Sequence, residues 1–137
     1  MTTPSPLPAW IPRARYGVRT VPVGRWFDVV EVPGLASARV LGRLHWRTGP
    51  VVEMQQRGVV SWFVVPGAAA GWETLPGVRV LGHGYYVEVP PAGWCASPRE
   101  GGPPVRWVVP PRGRCLTDSD ALREALAATV RAGARRG

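Results

Sequence analysis

Proline and glycine divide this chain into short segments. Its 137 residues include 16 prolines and 17 glycines. Proline lacks an amide hydrogen and glycine lacks a side chain to pack, so both interrupt helices and strands. We therefore expect short elements joined by many turns. No run in the sequence approaches the roughly 18 apolar residues that a membrane-spanning helix needs.

Several of these segments have the composition of β-strands. They are rich in valine and aromatic residues, and most end near proline or glycine, which is typical of strands that leave a sheet at a turn. The predicted strands cover residues 25–32, 51–54, 59–65, 78–81, 85–89 and 105–109. The second and third are separated by a short turn and should form a hairpin, and so should the fourth and fifth.

Two other segments have the spacing of amphipathic helices, with apolar residues three or four positions apart. The first covers residues 35–45, and the second follows Thr117 or Asp118, either of which can cap its first turn. The residues predicted on the two apolar faces are Leu35, Ala38, Leu41 and Leu44, then Leu122, Ala125 and Leu126. Strands and helices in this order predict an α+β fold, in which two helices pack on a mixed or antiparallel central sheet.

The chain has the length of a single domain. We expect a flexible, proline-rich arm at residues 1–12, one domain at 13–132 and a basic tail at 133–137. Trp10 and Ile11 are the residues that would attach the end of the arm to the domain. The first residues lack the basic and apolar pattern of a signal peptide, which favours a cytoplasmic protein with no membrane partner.

Charge and cysteine content limit the classes of function. The formal net charge is +8, and all 17 basic residues are arginine, against nine acids. This excess leaves attraction to polyanions such as nucleic acids open, although scattered arginines are also typical of a solvated surface. The cysteines Cys95 and Cys115 lack the close spacing of zinc ligands, so we expect reduced thiols and no cofactor. Whether the two form a disulfide stays open.

Three groups of segments follow one another along the chain: residues 26–33 with the helix after them, residues 49–67, and residues 78–91 with 105–107. In this order they resemble the N-terminal catalytic domain of bifunctional primase–polymerases, a branch of the archaeo-eukaryotic primase superfamily. The glycine, tyrosine and paired-proline pattern of Gly82–Pro91 is the most specific part. The similarity is greatest to the short, diverged versions common in actinomycetes. It covers roughly residues 25–130 and implies the fold of that family.

The resemblance also implies where catalytic residues would lie, and most of them are replaced here. The family has two acids two positions apart on its first strand, because both carboxylates must face the same metal pair. Asp28 matches the first position and Val30 occupies the second, while Glu31 is turned to the opposite face. The family's histidine and third acid correspond to about Val60 and Arg79. We therefore expect a protein that is not an enzyme.

We hypothesise instead that the ancestral cleft binds nucleic acid or a nucleotide. The candidate contacts are Asp28, Arg57, Arg79 and His83, with basic support from Arg25, Arg112 and Arg114. Arg79 stands where the family has an acid, so its guanidinium can hold a phosphate directly. Structural roles are open too. Asp28 either hydrogen-bonds a neighbouring loop or pairs with Arg79, and His83 is alternatively an exposed turn residue.

The alternative function is a protein-interaction module that keeps the fold only as a scaffold. The exposed arm, with Trp10 and Ile11, and the loop around Trp94 would then contact an acidic partner or a second copy. Trp72 and Trp94 lie in predicted loops, where an exposed ring can stack on a base or on a partner. A third hypothesis, an active nucleotidyltransferase with relocated acids, would depend on Asp28.

Overall fold

The computed structural model describes residues 7–112 and 116–136, with side chains in the final helix as far as Gly133. Seven strands and two helices make up these regions, and short 3-10 turns lie at residues 14–16, 45–47, 55–57 and 98–100. In chain order the elements are β1 (Arg19–Pro22), β2 (Asp28–Pro33), α1 (Gly34–Leu44), β3 (Val51–Met54), β4 (Val59–Val64), β5 (Arg79–Leu81), β6 (Tyr86–Val89), β7 (Val105–Val109) and α2 (Ser119–Arg136).

The strands form two sheets, and all of their pairings are antiparallel. Five strands, in the order β5-β2-β4-β3-β7, make the central sheet. Strands β1 and β6 form a separate two-stranded ribbon. Both helices pack against the central sheet, so the predicted α+β fold is confirmed. Among the described residues no helix is long and apolar enough to cross a membrane.

Alternating residues of the central sheet face two different cores. Val30 and Val32 of β2 belong to a helix-side core, where they pack with Val40, Leu44 and residues of α2. Each fully buried leucine contributes on the order of 2 kcal/mol through the apolar surface it removes from water. Leu35 was predicted on this face, and that prediction is wrong, because its side chain is 99% exposed. The buried face of α1 is instead the pair Val40 and Leu44, four residues apart.

The other face of the sheet is covered by the ribbon and by the N-terminal segment. Four aromatic rings form the centre of this ribbon-side core: Trp10, Phe27, Phe63 and Trp107. The Trp10 and Phe27 ring centroids are 4.7 Å apart, and those of Phe27 and Phe63 are 4.8 Å apart in an edge-to-face arrangement. Burial of Trp10 ties the described part of the N-terminal arm to the domain. The prediction that Trp10 and Ile11 form an exposed contact surface is therefore wrong.

Two strand predictions also differ from the structure. Strands β5 and β6 do not form a hairpin, because β5 pairs with β2 while β6 pairs with β1. Strand β1 was not predicted, since only Val21 of its four residues is buried and its alternation is too short to recognise. Val21 lies opposite Val87 in the ribbon, and both side chains enter the ribbon-side core. The predicted hairpin of β3 and β4 is confirmed.

The C-terminal helix begins as the sequence predicts. Asp118 caps it, since its Oδ2 accepts a hydrogen bond from the Ala121 amide at 3.2 Å. Leu122 and Leu126 are buried on the predicted apolar face. Helix α2 continues through residues 133–136, which were expected to be a tail.

Candidate functional site

Glu31 lies at the centre of a polar cluster on the ribbon side of the central sheet. It is directly opposite Arg79 of β5 on one side and Ser61 of β4 on the other. Its side chain is only 5% exposed. Two arginines donate hydrogen bonds to its Oε1 atom, Arg57 from 3.0 Å and Arg79 from 3.4 Å. Strand register places Arg79 here, and the β3–β4 turn places Arg57.

The β3–β4 turn is fixed by its glycine. Residues Gln55–Arg57 form a single 3-10 turn, and Gly58 follows with a positive φ of 65°, a conformation that glycine adopts at little cost. The Gly58 carbonyl accepts a hydrogen bond from the Gly34 amide at 2.8 Å, which holds the turn against the start of α1. As a result Arg57 is directed back over β2, within reach of Glu31.

The charges of this cluster do not cancel. A buried carboxylate needs a partner, because desolvation without one is costly. Here one carboxylate meets two guanidinium groups, so the formal charge of the three side chains is positive. The side chains of Arg57 and Arg79 are 47% and 53% exposed, whereas Glu31 is buried beneath them. A guanidinium has five N–H donors, and each arginine gives one hydrogen bond to Glu31. The cluster can therefore attract an anion from solvent.

An aromatic ring borders the two arginines. The Arg79 guanidinium carbon lies 6.0 Å from the centroid of the Tyr85 ring, at the outer limit of a cation–π contact. The Tyr85 side chain is about half exposed. We call Glu31, Arg57, Arg79 and Tyr85 together the arginine–tyrosine edge. Exposed guanidinium groups beside an accessible ring are the combination that binds phosphate and stacks on a base.

Two loops bring further predicted residues close to this edge. The Val23 amide donates a hydrogen bond to the Tyr85 carbonyl at 2.9 Å. Gly24 follows with a φ of 101°, and a Cβ atom placed there would lie 2.9 Å from His83 Cα, so only glycine fits. This close approach puts His83, an exposed turn residue, beside the loop that carries Arg25. The Arg25 guanidinium stacks on the Trp26 ring at 4.6 Å from its centroid.

Asp28 does not belong to the edge. It is buried, and its Oδ2 accepts a hydrogen bond from the Gly67 amide at 2.7 Å. The predicted hydrogen bond to a neighbouring loop is thus confirmed, and the alternative pair with Arg79 is wrong because Arg79 binds Glu31. Asp28 shares a sheet face with Val30, which packs in the helix-side core, whereas Glu31 faces the ribbon side. The prediction that these two acids face opposite ways is confirmed.

The remaining predicted residues are separate from the edge or outside the described chain. Arg112 is exposed and follows β7, which is the edge strand opposite to β5. Arg114 and Cys115 lie outside the described residues. Trp72 packs against the helix-side core, and Trp94 lies near Gly17. Cys95 is a free, exposed thiol.

Sequence reasoning missed Glu31 and Tyr85 as members of the site. Glu31 was set aside because it faces away from Asp28, yet that same alternation places it opposite Arg79. The described residues contain no group of three or more histidine, cysteine, aspartate or glutamate side chains placed to hold a metal ion. Beside Glu31, the Ser61 hydroxyl is buried without a hydrogen-bond partner among the described residues.

Comparisons of the chain with family models, with curated proteins and with solved structures find no match.

Proposed function

We propose that this chain is a cytoplasmic, catalytically inactive primase–polymerase-like domain that binds nucleic acid or a nucleotide at the arginine–tyrosine edge. The observation that carries the proposal is the surplus of positive charge there. Arg57 and Arg79 share one buried carboxylate, and both keep about half of their side-chain surface in solvent. Two phosphate oxygens can bridge the outward N–H groups of the two arginines without displacing Glu31.

Tyr85 supports nucleic acid or a nucleotide over a simple inorganic anion. A half-exposed ring next to a guanidinium offers a base the stacking surface it needs. Stacking of this kind contributes about 1–3 kcal/mol per base and tolerates different sequences. The net charge of +8 adds a long-range attraction that raises the rate of encounter with a polyanion.

The proposed inactivity depends on the replaced acids. The resembled family needs two carboxylates on one strand face and a third nearby, and Val30 and Arg79 occupy two of those positions. The remaining acid, Asp28, already accepts a hydrogen bond from the Gly67 amide and faces the helices. An arginine in place of an acid converts a metal-mediated phosphate contact into a direct one.

The test is fluorescence anisotropy with short single-stranded DNA, duplex DNA, RNA and labelled nucleotide, from low to physiological salt. We expect Arg57→Gln and Arg79→Gln each to weaken binding about tenfold and to lower the salt dependence by about one unit per phosphate contact. Arg39→Gln is the matched control, because Arg39 is an exposed arginine on α1. Equal losses in all three variants, or no binding at physiological salt, would refute the proposal.

Glu31→Gln separates binding from folding in the same experiment. Removing the carboxylate leaves both arginines with their charge, so a phosphate no longer competes with Glu31. We expect the folded fraction of this variant to bind nucleic acid severalfold more tightly at low salt. If the arginines serve only to neutralise Glu31, the variant will show no gain in affinity.

A second candidate function, self-association, is favoured by a different observation. Trp46 is 80% exposed and follows His45, the one described non-glycine residue with a positive φ, of 51°. Strain of this kind costs about 1–3 kcal/mol and is often kept for function. Sedimentation over a range of concentrations would test it. A strict monomer, or an assembly unchanged by Trp46→Ser, would exclude self-association through Trp46.

A further inference from the structure

A cavity of about 910 Å³ lies between the N-terminal segment, the start of β1 and the loop after β6. It is lined by residues 7–9, 11–14, 16, 18–19 and 91–93, and none of the arginine–tyrosine edge takes part. Sites for small molecules usually enclose roughly 300–1,000 Å³. The volume therefore suits one small organic molecule.

The cavity has a firm base and apolar walls. Ile11 lines it and is also buried in the ribbon-side core beside Trp10, so this part of the lining is held by core packing. Leu7, Tyr16 and Val18 line it as well, and all three are exposed large apolar side chains. Apolar surface gathered around a concave site is typical of ligand binding, whereas isolated apolar residues on a surface are ordinary.

The charge of the lining has one sign. Arg13 and Arg19 both line the cavity, and no aspartate or glutamate does. Arg19 is held in place, because its Nη1 atom donates a hydrogen bond to the Ala9 carbonyl at 2.9 Å. The guanidinium of Arg15 lies 4.8 Å from the centroid of the Tyr16 ring, which adds a third cation beside the cavity. A pre-positioned guanidinium loses less entropy when it binds a carboxylate or a phosphate.

We propose that this cavity binds a small organic anion, made of one carboxylate or phosphate group on an apolar body. Arg13 and Arg19 receive the anionic group, and Ile11, Tyr16 and Val18 contact the apolar body. The opposite charges of lining and ligand select an anion, and the apolar walls select it over inorganic phosphate. This site is independent of the nucleic-acid proposal, because its residues and those of the arginine–tyrosine edge do not overlap.

Four probes separate the contributions of charge and apolar body: 1-naphthylacetate, 1-naphthyl phosphate, the neutral 1-naphthylacetamide and inorganic phosphate. Titrations of the full chain would be followed by calorimetry and by amide chemical shifts. We expect at least one naphthyl anion to bind about tenfold more tightly than both the neutral amide and inorganic phosphate. Which of the two anions binds better identifies the preferred anionic group.

Variants then locate the binding. Arg19→Gln and Arg13→Gln should each weaken the anion about tenfold, whereas Arg39→Gln and Arg79→Gln should change its affinity less than about twofold. Thermal melting confirms that each variant is folded. The proposal is overturned if the neutral amide binds as well as the anions, or if the chemical shifts change at residues of the arginine–tyrosine edge. Absence of saturable binding by either anion below roughly 1 mM would overturn it as well.

Discussion

The two edges of the central sheet each carry a glutamate–arginine pair, and the pairs differ in balance. At the β5 edge Glu31 lies directly opposite Arg79, and at the β7 edge Glu53 lies directly opposite Arg106. The second pair is closer, with 3.1 Å between Arg106 Nε and Glu53 Oε1 against 3.4 Å for Arg79. Glu53 and Arg106 are 30% and 20% exposed, so acid and base are shielded to a similar extent.

The difference shows what separates a structural ion pair from a candidate binding surface. Cross-strand pairs of opposite charge stabilise antiparallel sheets in either setting. Arg106 also donates to the Cys95 carbonyl at 3.2 Å, so it helps to close the loop before β7. At the β5 edge, Arg57 adds a second cation above a buried acid. One edge is balanced and engaged within the protein, while the other presents surplus charge to solvent.

The largest expected effect on stability tests how differently the two acids are used. We expect Glu31→Gln to lower the free energy of unfolding by about 2 kcal/mol, because two arginines lose the buried charge that they share. Glu53→Gln should cost less than about 1 kcal/mol, since it removes one partly exposed pair. Urea denaturation of both variants measures the difference. Equal losses would show that burial of Glu31 adds nothing to its ion pairs.

A smaller effect, on binding, tests whether the β5 edge uses its aromatic ring. Tyr85→Leu should weaken nucleic-acid or nucleotide binding about fivefold, near 1 kcal/mol, because the ring beside Arg79 is lost. Tyr86→Leu is the matched control, since Tyr86 is exposed on the ribbon opposite Pro22. Its affinity should change less than about twofold. If the control loses as much as Tyr85→Leu, the ribbon and not the edge binds the base.

The smallest effect concerns Ser61, which lies between Glu31 and Val52 across the sheet. Its buried hydroxyl has no partner among the described residues, so Ser61→Ala should be neutral or should stabilise the fold by up to about 1 kcal/mol. As a control, Thr117→Val removes a hydroxyl that accepts the Gly49 amide at 2.9 Å, and it should cost about 1–2 kcal/mol. Thermal or urea unfolding measures both. A clear loss in Ser61→Ala would show that this hydroxyl is engaged and belongs to the edge.

Local patterns predicted most of the elements but not all of their partners. The valine-rich runs became strands β2, β3, β4, β6 and β7, and the Asp118 cap marked the start of α2. The expected hairpin of β5 and β6 failed because strands within hydrogen-bonding distance in sequence need not pair. Strand β6 instead joins β1, where Val21 and Val87 are buried together. Leu35 has helical spacing, but the helix presents Val40 and Leu44 to the sheet.

For the candidate site, the sequence identified the arginines and not the acid that assembles them. Arg57 and Arg79 are 22 positions apart in sequence, and both were chosen on grounds of charge and resemblance. Nothing local indicates that they meet, because Glu31 brings them together through the register of β2 with β5 and the shape of the β3–β4 turn. His83 and Arg25 approach the same edge through Gly24, whose contact with His83 is also a tertiary one.

The sequence by itself determined the α+β class, the strand positions and the opposite directions of Asp28 and Glu31. These follow from period-two alternation and from helical spacing, which are properties of neighbouring residues. Only the tertiary structure decided that helices cover Asp28 while solvent reaches the arginines above Glu31. The same holds for the cavity lined by Arg13 and Arg19. Which element covers a face depends on contacts between distant segments, and local sequence patterns carry no record of those contacts.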